Sequence, residues 1–156
     1  MHDRIFRHVL IPTDGSDASL AAARLAFRVA HAFDAHVDLL FVIDLQLCEE
    51  LRRFDAREFE EIQHELLDRG ERVVGVLRDQ GERRGLSITT EVRPGDPFEE
   101  IVAHASDRGA DLIVMGHVGR RPHTRVLLGS VAERVLEFAP CPVMIVKQTA
   151  DASADD

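Results

Sequence analysis

Aromatic side chains are scarce in this chain of 156 residues, which has eight Phe, no Trp and no Tyr. Carbohydrate sites and surfaces that stack nucleic-acid bases both depend on exposed rings. Basic side chains are also outnumbered, since 19 Lys and Arg face 28 Asp and Glu and leave a net charge of −9. Such a chain is repelled by a phosphate backbone and by an anionic bilayer, so we expect neither nucleic acid nor a membrane surface as a partner.

Cysteine and long hydrophobic runs are equally limited. Cys48 and Cys141 form no motif, which is typical of free thiols in a reducing cytosol. The first residues carry charges at Asp3, Arg4 and Arg7 and contain only the short apolar run "VLIP". The pattern predicts no signal peptide and no membrane insertion, and we expect a cytoplasmic protein.

Short apolar runs alternate with helical patterns from one end of the chain to the other. Five strands are predicted, at 8–11, 36–44, 86–92, 111–115 and 142–147. Four helical regions lie between them, and this alternation requires right-handed crossovers and a parallel sheet covered on both faces. The sequence therefore predicts a single α/β, Rossmann-like domain over residues 1–148, with an acidic flexible tail at 149–156.

Two of the helical regions carry informative signals. Asp96 followed by Pro97 is a typical helix start, with the carboxylate as N-cap and proline at the first helical position. The charge-rich region 49–84 has apolar residues at helical spacing, although Gly70 and Gly75 weaken the expectation of one unbroken helix.

The most informative pattern is a glycine-rich junction between the fourth strand and the last helix. Gly116 and Gly119 follow the strand, and Gly129-Ser130 opens the helix. Glycines let backbone N–H groups approach a ligand closely, and the positive end of a helix favours an anion. The spacing differs from GxGxxG, which would need glycine where Val118 stands, and from the P-loop, which needs a lysine directly before the hydroxyl residue. The junction predicts a phosphate site of another type.

Charged and hydroxyl side chains around this junction have two interpretations each. Arg120 adjoins Gly119 and is the best candidate to offset phosphate charge, but it could equally belong to a solvated loop tip. Asp14, just past the first strand, could accept from ribose hydroxyls or hold Mg²⁺ through water, or it could cap a turn. Ser130 could be a simple N-cap, a phosphate donor, or both. Asp44, at the end of the second strand, is a weaker candidate than Asp14 for a contact with the ligand.

Catalytic and metal patterns are missing from the sequence. The eight histidines show no metal spacing with cysteine or carboxylate partners, and His104 is expected at the surface or half-buried. No nucleophile elbow is visible, and no residue is placed to orient an attacking water. We expect binding without turnover, so no residue is assigned as catalytic.

Four blocks of sequence resemble a known family when they are taken together and in order. They are "HVLIPTDGSDAS", "RPGDP", "ADLIVMGHVGR" and "LLGSVAERVLEFAPCPVMIVK", and the likeness extends from about His8 to Lys147. They resemble the universal stress protein family, and within it the ATP-binding branch with its Gly-2x-Gly-9x-Gly-Ser/Thr pattern. The resemblance implies the strand order 3-2-1-4-5 and a homodimer formed through the last strand, residues 142–146 (Pro142 to Val146).

The resemblance also implies roles for individual residues in binding ATP, with or without Mg²⁺. It places Pro12, Thr13 and Asp14 beside the adenosine and Val42 against the adenine. It places Met115 and Gly116 along the ribose and phosphates, and Gly119, Gly129, Ser130 and Val131 around the phosphate chain. The family often has Ser-His after the first loop glycine, whereas His117-Val118 stands here. The spacing is kept, so a backbone contact at His117 is expected without a hydroxyl.

These implications favour an ATP-binding regulatory protein of the stress response, in which nucleotide occupancy modulates a dimer or a partner surface. One alternative is a slow ATPase or autophosphorylating enzyme. An adenylating ATP-pyrophosphatase is disfavoured because "PTDGSD" lacks the paired glycines of that loop. Another alternative is a nucleotide-independent interaction module that regulates a client such as a transporter.

Overall fold

A computed structural model describes residues 4–119 and 128–148. The strands lie in one sheet and the helices cover its two faces, as the alternation of patterns predicts. In chain order the elements are β1 (His8–Thr13), α1 (Asp17–Phe33), β2 (His36–Asp44), α2 (Leu45–Arg52), α3 (Phe59–Arg83), β3 (Ile88–Gly95), α4 (Pro97–Arg108), β4 (Leu112–Gly116), α5 (Ser130–Phe138) and β5 (Val143–Val146).

The strand order is β3-β2-β1-β4-β5, and every pairing is parallel. This confirms the order implied by the family resemblance. Because β1 lies between β2 and β4, the chain winds outward from the centre in both directions. The loops that follow β1 and β4 therefore leave the sheet on opposite sides, and the place between them is where doubly wound folds form a ligand crevice.

Alternating side chains of the strands supply two apolar layers. Val9 and Ile11 of β1 pack with α1, α2 and α3 on one face, and Leu10 packs with α4 and α5 on the other. Burial on both faces explains why the central strands are almost continuously apolar. The second layer contains one charged side chain of β2, Asp38, which is 2% exposed.

The strand registers leave part of β2 open towards the crevice. Pairing between β1 and β2 runs as far as Thr13 with Phe41, whereas β2 stays paired with β3 as far as Asp44 with Gly95. Val42 to Asp44 therefore extend beyond the end of β1. This carboxyl edge of the sheet is where a ligand of a doubly wound fold lies.

The expectation of one long helical region over 49–84 was wrong. Asp44 caps α2, and its carboxylate accepts from the N–H groups of Gln46 (3.0 Å) and Leu47 (3.2 Å). α2 ends at Arg52, and in the segment before α3 Asp55 accepts from the backbone N–H of Arg57 (3.1 Å) and from its Nε (2.7 Å). Such local bonds compete with helical ones. Two helices, α2 and α3, result.

Gly70 and Gly75 interrupt nothing, since α3 continues through both. A Cβ on Gly70 would lie 2.7 Å from the ring of Phe41 and 2.9 Å from Val92. Glycine here allows the helix to lie directly on β2 and β3. Gly75 has no such neighbour within 4 Å. Among the residues described by the structure, no helix is both long and apolar enough to cross a bilayer.

Candidate nucleotide site

Three backbone segments meet at the carboxyl edge of the sheet. The turn after β1 carries Asp14, the loop after β4 carries Gly119, and Gly129 precedes α5. The Oδ2 atom of Asp14 lies 2.9 Å from the position that a Cβ on Gly119 would take. The N–H of Gly129 donates to the carbonyl oxygen of His117 at 2.6 Å, which ties the start of α5 to the end of β4. The glycines predicted from the sequence are therefore close together.

A Cβ at any of these three positions would lie close to other atoms, which are backbone atoms at Gly116 and Gly129 and the end of a flexible side chain at Gly119. A Cβ on Gly116 would lie 2.9 Å from the carbonyl carbon of Ala18, and one on Gly129 would lie 3.2 Å from the carbonyl oxygen of His117. Gly116 lets β4 pass directly against the first turn of α1. Gly119 brings the loop backbone close to the Asp14 carboxylate. The pattern thus marks close backbone approaches rather than left-handed turns.

The start of α5 differs from that of three other helices. Ser16, Asp44 and Asp96 each cap a helix through a side-chain oxygen, the last of them as predicted from the sequence. The N-cap of α5 is Gly129, in extended conformation and with no side-chain cap hydrogen bond. The interpretation of Ser130 as a simple N-cap was therefore wrong, since it is the first helical residue and is exposed.

This arrangement concentrates hydrogen-bond donors at the crevice. The N–H groups of the first helical residues have no acceptor within the helix, and they form its positive end. In α5 these residues begin with Ser130 and Val131. The N–H of His117, by contrast, donates to the carbonyl oxygen of Val146 at 3.2 Å and is engaged in the sheet. Its ring Nδ1 is buried and has no hydrogen-bond partner among the residues described.

The turn after β1 is organised by its own side chains. The Oδ1 atom of Asp14 accepts from the N–H of Ser16 at 2.9 Å, so the turn-capping interpretation of Asp14 is confirmed. The hydroxyl of Thr13 accepts from the N–H of Gly15 (3.2 Å) and lies 2.9 Å from the hydroxyl of Ser19. These bonds hold the Asp14 carboxylate towards the Gly119 side of the crevice.

Apolar residues of the predicted site lie behind these polar groups. Val42 and Met115 belong to the same buried cluster, and their exposed fractions are 9% and 7%. Val131 is partly buried against that cluster, and Pro12 is buried in β1. Arg120, the predicted phosphate partner, and its neighbours at 121–125 lie outside the described residues.

A polar cluster at the opposite, amino edge of the sheet was missed from the sequence. We call it the Asp38 cluster, and it consists of His8, His36, Asp38 and His104. The carboxylate of Asp38 accepts from Nε2 of His8 (2.8 Å), of His104 (3.0 Å) and of His36 (3.2 Å). His104 is 4% exposed, so the expectation of a surface or half-buried position was wrong.

Burial alone would raise the pKa of the Asp38 carboxyl, but the hydrogen bonds from His104 and His8 outweigh it and hold that pKa well below its usual range. An ionised carboxylate only accepts, which requires the facing Nε2 atoms to carry hydrogen. A signal was available in the sequence: His36 and Asp38 are two residues apart on a strand and therefore share a face.

The fold and the crevice together define a class, the doubly wound α/β proteins whose binding edge lies at the carboxyl ends of parallel strands. The sequence matches the model of the universal stress protein family over residues 5–147. The chain belongs to that family.

Individual relatives agree with this assignment. Universal stress protein MJ0531 of Methanocaldococcus jannaschii is 40% identical over 146 residues, which cover 94% of this chain and 85% of that protein. The solved structure of MJ0577, from the same organism, superposes with a TM-score of 0.82 at 29% identity and covers 93% of this chain and 98% of that one. A universal stress protein solved in complex with cAMP gives a TM-score of 0.64 at 26% identity, covering 92% and 98%.

Proposed function

We propose that this protein binds ATP in the crevice between the β1 and β4 loops and acts as a regulatory protein of the ATP-binding branch of its family. The observation that carries the proposal is the uncapped start of α5, which adjoins the loop of Gly116 and Gly119. The relative in complex with cAMP supports an adenine nucleotide as the class of ligand.

The phosphates lie, in this proposal, against the N–H groups of Gly119, Ser130 and Val131. Main-chain donors at a helix N-terminus bind phosphate without a lysine, because the amides and the helix dipole act on the same anion. The Ser130 hydroxyl adds one donor, and Arg120 neutralises part of the triphosphate charge. Gly129 and His117 contribute by fixing the loop, since the Gly129 N–H is used within it.

The adenosine lies between the β1 turn and the open end of β2. Val42 contacts the adenine, while Pro12, Thr13 and Asp14 line the side towards the ribose. Met115 and Gly116 form the floor. The Asp14 carboxylate faces the Gly119 loop, so it is also the residue that would hold a water of Mg²⁺ bound to ATP.

Nucleotide occupancy, in this proposal, alters the surface around the β4–α5 junction and thereby modulates the dimer or a partner interaction. We propose no catalytic residue for this site. Single-turnover assays with labelled ATP check this. Nucleotide returned intact supports a binding protein, and release of phosphate or labelled protein would support the enzymatic alternative.

We further propose a cytoplasmic homodimer that pairs through β5. This strand is at the edge of the sheet, and its four residues are only partly buried. Leu136 and Phe138 of the preceding helix are 44% and 55% exposed. An uncovered apolar edge strand favours pairing with another strand, and a second copy supplies one of the same sequence.

Titration calorimetry of ATP with Gly119→Val tests the binding proposal. A Cβ at this position would lie 2.9 Å from Asp14, and the added methyls would fill the phosphate space. We expect affinity to fall at least ~10-fold, or about 1.4 kcal/mol, with little change in melting temperature. Gly116 is a poorer choice, because its Cβ would meet the backbone of Ala18 and destabilise the fold.

Gly75→Val is the matched control, since a Cβ there has no neighbour within 4 Å and the position lies on α3. It should bind ATP like the wild type. Equal ATP affinity in the wild type and Gly119→Val would show that the site lies elsewhere. A wild type without affinity at millimolar ATP would favour the nucleotide-independent interaction module.

A further inference from the structure

The Asp38 cluster lies far from the nucleotide crevice. His8 and His36 are the first residues of β1 and β2, while the crevice lies at the other ends of these strands. An extended strand rises about 3.3 Å per residue, so the ends of β1 are roughly 16 Å apart. The Asp38 cluster is therefore spatially separate from the proposed ATP site.

Three residues of the cluster bring potential metal ligands together. One ring nitrogen of His8, one of His36 and a carboxylate oxygen of Asp38 all lie within 4.8 Å of one another. The two imidazole rings meet edge to face, with centroids 5.1 Å apart. Ligands of a tetrahedral zinc ion lie about 2.0–2.2 Å from the metal, so a small closing movement of these side chains would complete the geometry.

The ligand atoms are held by rigid structure and by further hydrogen bonds. His8 pairs with His36 in the strand register, so both ligands arise from adjacent positions of one sheet. The Nδ1 atom of His36 lies 2.9 Å from the hydroxyl of Ser87, and its Nε2 atom lies 2.8 Å from the hydroxyl of Thr89 and 3.2 Å from Asp38. When Nδ1 carries the hydrogen and donates it to Ser87, a metal can replace the present contacts of Nε2. His104 donates to Oδ2 of Asp38 and orients the carboxylate.

We propose that His8, His36 and Asp38 bind a divalent transition metal of the zinc class, with His104 as a positioning residue. Two imidazole nitrogens and one carboxylate oxygen are a donor set that suits Zn²⁺, and the fourth position is left to water. Binding removes the Nε2 hydrogens of His8 and His36, either to Nδ1 or to solvent.

Access and charge are compatible with an ion at this point. The side chains of His8 and His36 are 19% and 32% exposed, so an ion can enter from solvent, whereas Asp38 is buried. The positive group now facing Asp38 is Arg108, with Nε at 3.5 Å from Oδ2. Its side chain is half exposed and can move into water when a metal supplies the compensating charge.

The test is a Zn²⁺ titration of nucleotide-free protein against a competing chelator, with the wild type, His8→Gln and His36→Gln. Glutamine keeps an N–H donor for Asp38 but is a poor zinc ligand. Each variant should bind Zn²⁺ at least ~10-fold more weakly than the wild type, since one of three protein ligands is lost. ATP affinity should be unchanged, which separates a failure here from a failure of the proposed nucleotide site.

His64→Gln is the matched control. His64 is exposed on α3, and its Nε2 lies 3.8 Å from Asp68 one turn away, which makes it the best adventitious histidine–carboxylate pair among the residues described. This variant should retain wild-type affinity. Loss of zinc binding in His64→Gln, or equal affinity in the wild type and both cluster variants, would overturn the proposal and leave the cluster as a hydrogen-bond network only.

A second measurement needs no substitution. Imidazole ¹⁵N spectra of the wild type report the protonation and ligation of each ring nitrogen. Stoichiometric Zn²⁺ should shift Nε2 of His8 and of His36 together and leave His64 unaffected. Unchanged His8 and His36 resonances at saturating Zn²⁺ would refute the site, whatever the variants do.

Discussion

At the scale of single residues, the proposed nucleotide site depends on absent side chains more than on present ones. Gly116 lets β4 approach α1, and Gly119 lets the loop backbone lie close to the Asp14 carboxylate. Gly129 supplies an extended N-cap without a side-chain oxygen, so it leaves the first N–H groups of α5 to a ligand. The polar residues of the crevice then have supporting roles, Asp14 as both turn cap and candidate ligand contact.

Ser130 offers a residue-scale prediction because its hydroxyl is exposed and does not cap the helix. Ser130→Ala should change the free energy of unfolding by less than about 0.5 kcal/mol, as is usual for surface positions. It should weaken ATP binding by about 1 kcal/mol, the net value of one hydrogen bond. Calorimetric titration and thermal unfolding measure the two effects.

Ser130→Thr keeps the hydroxyl and serves as the control, with affinity near that of the wild type. A large loss of stability in Ser130→Ala together with unchanged ATP affinity would return Ser130 to a purely structural role.

At the scale of elements, the strand ends and helix starts determine what faces the crevice. The extension of β2 beyond β1 places Val42 at the open end of the sheet and leads directly into α2. Asp44 stands at that transition as the N-cap of α2. Its carboxylate is thus engaged by helix amides, which assigns it a local structural role.

Asp44→Ala tests this assignment. Loss of the cap should destabilise the protein by about 1 kcal/mol, within the usual range of about 0.5–2 kcal/mol for N-cap removal. ATP affinity should change less than about 2-fold, since the carboxylate is used by Gln46 and Leu47. Asp44→Ser retains a capping oxygen and should restore most of the stability in thermal unfolding. A strong loss of ATP affinity in both variants would instead make Asp44 a ligand contact.

Most helices and strands could be predicted from the spacing of apolar residues and from helix-capping residues, because those signals are local. Asp96 and Pro97 mark the start of α4 from sequence alone, and the glycine spacing marks the crevice. The break between α2 and α3 was missed because the spacing of apolar residues does not show it. The connecting segment contains the local bonds of Asp55 to Arg57. β3 begins two residues later than predicted and runs to Gly95, since pairing with β2 sets its limits.

The histidine cluster was missed for a different reason. Asp38 and His104 are 66 residues apart, and they meet only because α4 packs on the face of β2 that carries Asp38. Spacing in the sequence reveals a metal site or an ion pair when its residues lie on one helix or strand. The members of the Asp38 cluster lie on two strands and a helix.

At the scale of the whole molecule, the two edges of the sheet have different characters. In our two proposals, the glycines and helix amides of the carboxyl edge bind an anion, and the imidazoles and carboxylate of the amino edge bind a cation. The strand β5 leaves one side of the sheet unpaired within the described chain. We expect it to pair with its counterpart in a dimer.

Light scattering coupled to size exclusion checks the dimer. At micromolar concentration the mass should be that of two chains. Ile145→Pro should reduce it to one chain. The carbonyl groups of Pro142 and Val146 face β4, so the N–H of Ile145 faces the open edge, and proline there removes a donor from strand pairing. Gln148→Pro, beyond the end of β5, is the control and should remain dimeric. A monomeric wild type would contradict the proposal.

Amide chemical shifts measured during an ATP titration show whether main-chain amides at the β4–α5 junction hold a nucleotide. We expect saturable shifts of the amide signals of Gly119, Ser130 and Val131. The amide signals of His36 and Thr89, at the amino edge, should not change. Shifts that cluster at the amino edge, or no saturable shift at the junction with millimolar ATP, would contradict the nucleotide proposal.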